Sequence, residues 1–272
     1  MRRRSFLSAL ALGSVGWVGA SRGLPAQTSD PEVEPSRLDG PTGGTRHVMW
    51  SVPTEVPRAA LTFDDGPDPE FTPAILDALA GAGVKATFMV MGHNAIRHPN
   101  LLRRVVADGH ELGNHTWSHL DLSTLTPAEV LDEVSRGSEA IEDVVGIQPT
   151  LFRPPKGIIS EAALQAAAMS GQDIVVWSVT RGGLGLDRAA RIAEAVDAAV
   201  GPGDIVDLHD GIGRGTFNPE ADFTQRIKAR RRIEVQALPM ILERAAARGM
   251  ALGTVSELVS AAGGHPCDAG TK

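Results

Sequence analysis

The chain has 272 residues, 42% apolar and 22% charged, with a net charge of −7. That balance supports a sizeable globular core and argues against a nucleic-acid partner. The one basic run, KARRR at Lys228–Arg232, reads as a solvated helix start. Cys267 is the single cysteine, which excludes an internal disulfide and a thiolate metal cluster. Any metal must then be held by His, Asp or Glu.

The chain opens with an export pattern. MRRRSFL is basic, and LSALALGSVGWVGA is apolar but short for a bilayer span. Arg3-Arg4-Ser5-Phe6-Leu7 resembles a twin-arginine signal. Residues 1–26 are therefore expected to be a leader cut after Ala26, with Ala20 as the alternative site and an uncleaved anchor as the alternative fate. On the first reading the mature protein has no membrane span and works in the periplasm or outside the cell. Residues 27–57 are rich in Pro, Gly, Ser, Thr and acids and read as a linker.

From Arg58 short apolar runs alternate with helical patterns. AALTF (59–63) predicts a strand and 71–82 a helix. KATFMVM (85–91) predicts a strand and 99–108 a helix. HELGNH (110–115) predicts a short strand. Pro127–Val145 predicts a long helix, with Thr126 as cap and Glu129 at the capping-box spacing. TLFRPP (150–155) predicts a strand, followed by an alanine-lined helix from Ser160. DIVVWSV (173–179), a helix over 187–200 and DIVDLH (204–209) repeat the beat. A last helix over 232–248 is interrupted or bent at Pro239, and ALGTVSEL closes the domain. This alternation implies parallel strands joined by crossovers, an α/β fold. Seven strands favour a barrel, spanning 58–262, with 263–272 as a tail. In such barrels chemistry gathers at the C-terminal strand ends.

Polar clusters fall at those ends: Asp64-Asp65, His115 with His119, Arg153, and His209-Asp210. The two imidazoles of HTWSH share a face if that segment makes one helical turn. Two His and a carboxylate form a common divalent-metal set with a position left for water. His47, His93, His98 and His265 lack ligand spacing, and His110 reads as structural. Asp210 reads as a brace for the last strand end.

TFDDGP (62–67), HTWSH (115–119), RPPKG (153–157), the Trp177 strand and IVDLHDG (205–211), in this order, resemble the five motifs of the polysaccharide deacetylase family, carbohydrate esterase family 4. The resemblance covers residues 58–260. It implies a distorted (β/α) barrel of seven parallel strands. It also implies metal-dependent removal of N- or O-acetyl groups from an acetylated polysaccharide or oligosaccharide. By position, the resemblance makes Asp65, His115 and His119 the metal ligands. The metal would be zinc first, with cobalt, nickel or manganese as alternatives. Asp64 would be the general base, Arg153 its partner and His209 the general acid. The Lys156 N–H would help hold the oxyanion, and Trp177 would wall the acetyl pocket.

The sequence departs from that pattern in three places. Thr180 and Gly183 stand where an acidic partner of the acid histidine is expected, and Asp187 comes later. Asp207 shares a strand face with His209, where the family has an apolar residue, and is expected either to replace the missing partner and raise the His209 pKa or to turn toward a helix N-terminus or solvent. The chain has no Tyr, so sugar stacking falls to Trp or Phe. Trp117 is then either a subsite wall or a core residue. The leading expectation is an exported deacetylase acting on N-acetyl rather than O-acetyl groups. The alternative is a catalytically impaired glycan-binding protein on the same barrel.

Overall fold

The seven apolar runs from Arg58 onward all enter one sheet. The structure is a computed structural model that describes residues 37–39, 45–181 and 187–264. The leader reading over 1–26, Gly183 and Cys267 lie outside the described residues. In chain order the elements are β1 (Arg37–Asp39), β2 (Thr45–Met49), β3 (Arg58–Asp64), α1 (Thr72–Ala82), β4 (Thr87–Val90), α2 (Gly92–Arg97), α3 (Pro99–Ala107) and β5 (Glu111–Asn114). Then come α4 (Pro127–Val145), β6 (Leu151–Phe152), α5 (Glu161–Met169), β7 (Asp173–Val175), β8 (Val179–Thr180), α6 (Ala189–Ala199), β9 (Ile205–His209), α7 (Asp222–Ala247), β10 (Ala251–Gly253) and α8 (Val255–Ala261).

The sheet runs β1-β2-β7-β6-β5-β4-β3-β9-β8, with β10 added to β3. The β1–β2 pair is antiparallel and every other pair is parallel. β7 and β8 lie far apart in that order, yet only Val176–Ser178 separate them in the chain. Such a link spans at most about 14 Å. The sheet therefore curls until its ends approach, giving the expected distorted (β/α) barrel. The Ser51–Asp204 bridge ties the same seam.

Three strands were not anticipated. DIVVWSV divides into β7 and β8, because Val176–Ser178 cross the seam. β1 and β2 come from the stretch read as a linker. That reading is corrected for the described part after Thr45: Val48, Met49 and Val52 are buried, and Val48 pairs with Ile174. An apolar strand at an open barrel edge gains more by burial than a solvated linker would.

Strand alternation sorts the barrel into layers. Leu61, Phe63, Phe88, Val206 and Leu208 face outward and pack with residues of α1, α3, α6 and α7. Ala60, Met89, Leu151, Val175 and Ile205 form an inner apolar layer, joined by Val255 and Leu258 of α8. One step nearer the C-terminal ends the inner residues turn polar: Thr62, Arg153 and Asp207, all buried. Both sheet faces are covered, which is why the strands read as nearly continuous apolar runs.

The helices follow their local signals. Thr126 and Glu129 form the expected capping box on α4. Pro239 lies inside α7 at an exposed position, where water can solvate the carbonyl that loses its donor. α7 begins at Asp222, ten residues before the expected start. Among the described residues no helix is long and apolar enough to cross a membrane.

Candidate active site

Strand register sets the site. β3 and β9 pair Thr62 with Asp207 and Asp64 with His209. Arg153, just past β6, reaches across with no exposed surface. Its Nε donates to Val175 O at 2.9 Å and its Nη2 to Val176 O at 2.8 Å. Nη1 faces Asp64 Oδ1 at 2.6 Å, Thr62 Oγ1 at 2.8 Å and Asp207 Oδ1 at 3.2 Å. One guanidinium thus serves two buried carboxyls. Burial, and then the Asp64 charge, push Asp207 up to about 7, against His209 and Arg153.

HTWSH does not form the helical turn that sequence spacing suggested. It bends, with Thr116 at φ 66° and His119 at φ 57°. Glu133 of α4 holds the bend: its carboxylate accepts from Ser118 N at 2.9 Å and Ser118 Oγ at 2.8 Å, and its carbonyl from Trp117 N at 2.8 Å. Asn114 Oδ1 accepts from Thr116 N at 2.9 Å, and Thr116 Oγ1 from His119 N at 3.0 Å. These local bonds outcompete one isolated helical turn. Among the described residues the non-glycine positions with positive φ are Asp65, Thr116, His119 and Lys156, all in this region. Backbone strain gathered in one place points to a working site.

The bend brings the imidazoles to Asp65. His119 Nε2 is 3.3 Å and His115 Nε2 3.7 Å from Asp65 Oδ1. Ligands each about 2.1 Å from one ion would stand roughly 3.4 Å apart. Asp65 Oδ1 is buried without a hydrogen-bond partner. His115 Nδ1 donates to Arg153 O at 2.7 Å, which leaves its Nε2 lone pair free. Burial pushes His115 down to about 4, so its ring is neutral near pH 7. Burial pushes Asp65 up, but His119, His209, Arg231 and His115 pull it well below the usual carboxylate range. Asp65, His115 and His119 together fit a divalent cation.

The turns carrying Asp65 and Asp210 interlock. A Cβ on Gly66 would meet the Asp210 carboxyl at 2.0 Å, and one on Gly211 would meet Asp65 O at 2.3 Å. Only glycine permits that approach. Asp210 Oδ2 accepts from Thr72 Oγ1 at 2.7 Å, and burial raises Asp210 to about 8. It braces the turn, as expected.

The partner of His209 is not Asp207 but Glu234. His209 Nδ1 is 3.1 Å from Glu234 Oε2, whereas Asp207 is turned onto Arg153. Glu234 also meets Arg231 at 2.8 Å and Arg181 at 3.1 Å, and Arg231 reaches Asp65 Oδ2 at 3.2 Å. Burial would raise Glu234, but Arg231 and His209 hold it down to about 2. Burial and Arg231 push His209 down, yet Asp207 and Glu234 outweigh them and bring it to about 9. Asp207 therefore acts on His209 through space only. Asp187 is exposed and has no contact with His209 among the described residues. The solvated reading of KARRR holds for Arg230 and Arg232, which are exposed, and is corrected at Arg231, which is buried. A signal for both residues was present: Arg231, Glu234, Leu238, Ile241 and Ala245 share one helical stripe with the core.

A family model described as polysaccharide deacetylase matches residues 51–175. A chitooligosaccharide deacetylase of Bradyrhizobium sp. (strain ANU 289) is 39% identical over 220 residues, 80% of this chain and 93% of its own length. The chain belongs to the polysaccharide deacetylase family. A peptidoglycan-N-acetylglucosamine deacetylase of Bacillus cereus is 38% identical over 178 residues, 63% of this chain and 79% of its own. The crystal structure of the Bc1960 peptidoglycan N-acetylglucosamine deacetylase superposes with a TM-score of 0.66 at 33% identity, covering 77% of this chain and 91% of that one.

In this polysaccharide deacetylase, Asp64, Asp65, His119, Trp177, Asp207 and His209 line one cavity of about 300 Å³. Lys156 lies on its rim at φ 62°, and its N–H donates no hydrogen bond among the described residues. The Lys156 ammonium is turned aside to Asp121, 2.7 Å away. Trp177 is half-buried with its ring 5.5 Å from the Arg153 guanidinium. Trp117 is packed: Arg136 covers its ring at 4.5 Å and His93 meets it edge-on at 5.7 Å. It is not a free stacking wall of the deacetylase cavity.

Proposed function

We propose that the chain is an exported hydrolase that removes N-acetyl groups from an N-acetylglucosamine-containing glycan, with a zinc ion held by Asp65, His115 and His119. The observation that carries this reading is the convergence of those three ligand groups beside an Asp64 that stays on Arg153, facing His209 across one strand rung. The related chitooligosaccharide and peptidoglycan deacetylases support the substrate class. Export rests on the leader pattern of residues 1–26.

When bound, the cation supplies Lewis acidity and lowers the pKa of water toward neutrality. Asp64 takes the proton from the attacking water, and Arg153 keeps its carboxylate aimed at the cavity. The free N–H of Lys156 faces the oxyanion, a donor worth about 3 kcal/mol in such sites. His209, held by Glu234, gives its proton to the departing amine. Base and acid on neighbouring paired strands add about 10²–10⁴-fold. Trp177 walls the acyl side.

The test is acetate release from N-acetylglucosamine oligomers and peptidoglycan fragments by the zinc-loaded protein. Release should vanish with a chelator and in Asp64→Ala. Glycan binding with no acetate release at full metal occupancy would favour the binding-protein alternative. That alternative draws on the missing acid after Trp177 and on the charged Asp207; the Glu234 carboxylate 3.1 Å from His209 Nδ1 weighs against the first of these.

A further inference from the structure

The β3–β9 pairing divides the cavity by depth. Asp64 and His209 form the outer rung, and Thr62 with Asp207 the next one inward. Two residues along a strand advance about 6.6 Å. The cavity reaches that second rung, because Asp207 lines it together with Trp177. Beyond it comes the apolar layer of Ala60, Val175 and Ile205, filled from below by α8. Asp207 is therefore the cavity floor.

What rests on that floor follows from the proposed function, on which this inference depends. The reacting amide carbon must lie between Asp64 and His209. Its sugar belongs to a longer chain and stays at the open mouth. Only the acyl substituent is short enough to point inward. Asp207 Oδ1 is held by Arg153 at 3.2 Å. Asp207 Oδ2 accepts no hydrogen bond among the described residues, and Asp207 lines the cavity. A methyl group placed there strips water from a carboxyl oxygen and returns no hydrogen bond. A hydroxyl placed there restores one, and bonds to charged groups are the stronger kind.

We propose that Asp207 selects the acyl group, favouring amides whose acyl tip carries a hydroxyl, that is hydroxyacetyl (glycolyl) amides of glycan amino sugars, over acetyl amides. The carboxyl accepts from that hydroxyl whether or not it is ionised. The reaction stays a hydrolysis: water adds to the acyl carbon, the C–N bond breaks, and the amine leaves with the proton from His209. The products are glycolate and a free amino sugar, with no redox partner required.

Matched N-glycolyl and N-acetyl glucosamine oligomers test this with zinc-loaded protein. The wild type should show a kcat/KM about ten- to a hundred-fold higher for the glycolyl oligomer. Asp207→Leu should reverse the ratio, and Asp207→Asn, which keeps an acceptor, should retain most of it. Calorimetric titration with sodium glycolate and sodium acetate reads the floor without turnover, and glycolate should bind more tightly to the wild type only. A wild-type ratio at or below one, or a ratio and a glycolate preference unchanged in Asp207→Leu, overturns the inference. Release of neither acid, with the glycolate preference intact, counts against the hydrolase reading and not against the floor.

Discussion

His209 Nδ1 and Glu234 Oε2 stand 3.1 Å apart, joining the end of β9 to a helix residue twenty-five positions later. The pair sits where the sequence lacks an acid after Trp177. Glu234→Gln keeps the size and removes the charge, so the His209 pKa should fall from about 9. A histidine acid must be protonated to act. The basic limb of the kcat/KM profile should therefore move to lower pH, with kcat down about 10–100-fold at pH 8. Glu234→Asp should recover part of both. An unmoved basic limb would remove Glu234 from the acid step.

Arg153 is the one cation touching both Asp64 and Asp207 among the described contacts. Arg153→Met should cost about 3–5 kcal/mol of stability, because two buried carboxyls lose their partner. Adding Asp207→Asn should return about 1–2 kcal/mol of that loss, since the two sites are coupled. Urea unfolding of the single and double variants measures both. Strict additivity would show that the Arg153–Asp207 contact carries no energy.

His110 gives a pH dependence outside the metal cluster. It is buried, its Nδ1 accepts from Ala86 N at 3.2 Å, and burial pushes it down to about 4. The neutral ring belongs to the fold, so its contribution is complete above about pH 6.5 and is lost as pH falls toward 4. The loss should reach about 2–3 kcal/mol. His110→Asn keeps an acceptor and does not titrate. Its urea midpoint should fall less than that of the wild type between pH 7 and pH 4.5, and equal falls would reject the assignment.

Zinc should stabilise the fold by mass action, about 4 kcal/mol at a thousand-fold excess over Kd. The matching rise in Tm should disappear in His115→Ala and Asp65→Asn and survive in Asp64→Asn. Metal analysis of the purified variants checks the same division. Loss of zinc from Asp64→Asn equal to that from Asp65→Asn would place both carboxylates on the metal.

Much of the site was legible because it rests on local rules. Asp64, Arg153 and His209 each end an apolar run, and strand alternation alone puts Asp207 on the face of His209. Thr126 and Glu129 announced α4 because a cap is satisfied within four residues. The shape of HTWSH was not legible. Its bend is held by Glu133, a residue of the following helix, and helical spacing had no way to register that contact. β2 was missed because proline and glycine around it outweighed three buried apolar residues.

Residue type and order were enough to specify the barrel and to set Asp64, Asp65, Arg153 and His209 at its strand ends, because strand ends and alternation are properties of neighbouring residues. The partner of His209, the buried role of Arg231 and the depth of Asp207 required the folded chain. Each depends on a charge brought close in space by the packing of α7 or by the register of β9 against β3. Electrostatic partners in a buried site are chosen by distance through low-dielectric protein, and separation along the chain does not encode that distance.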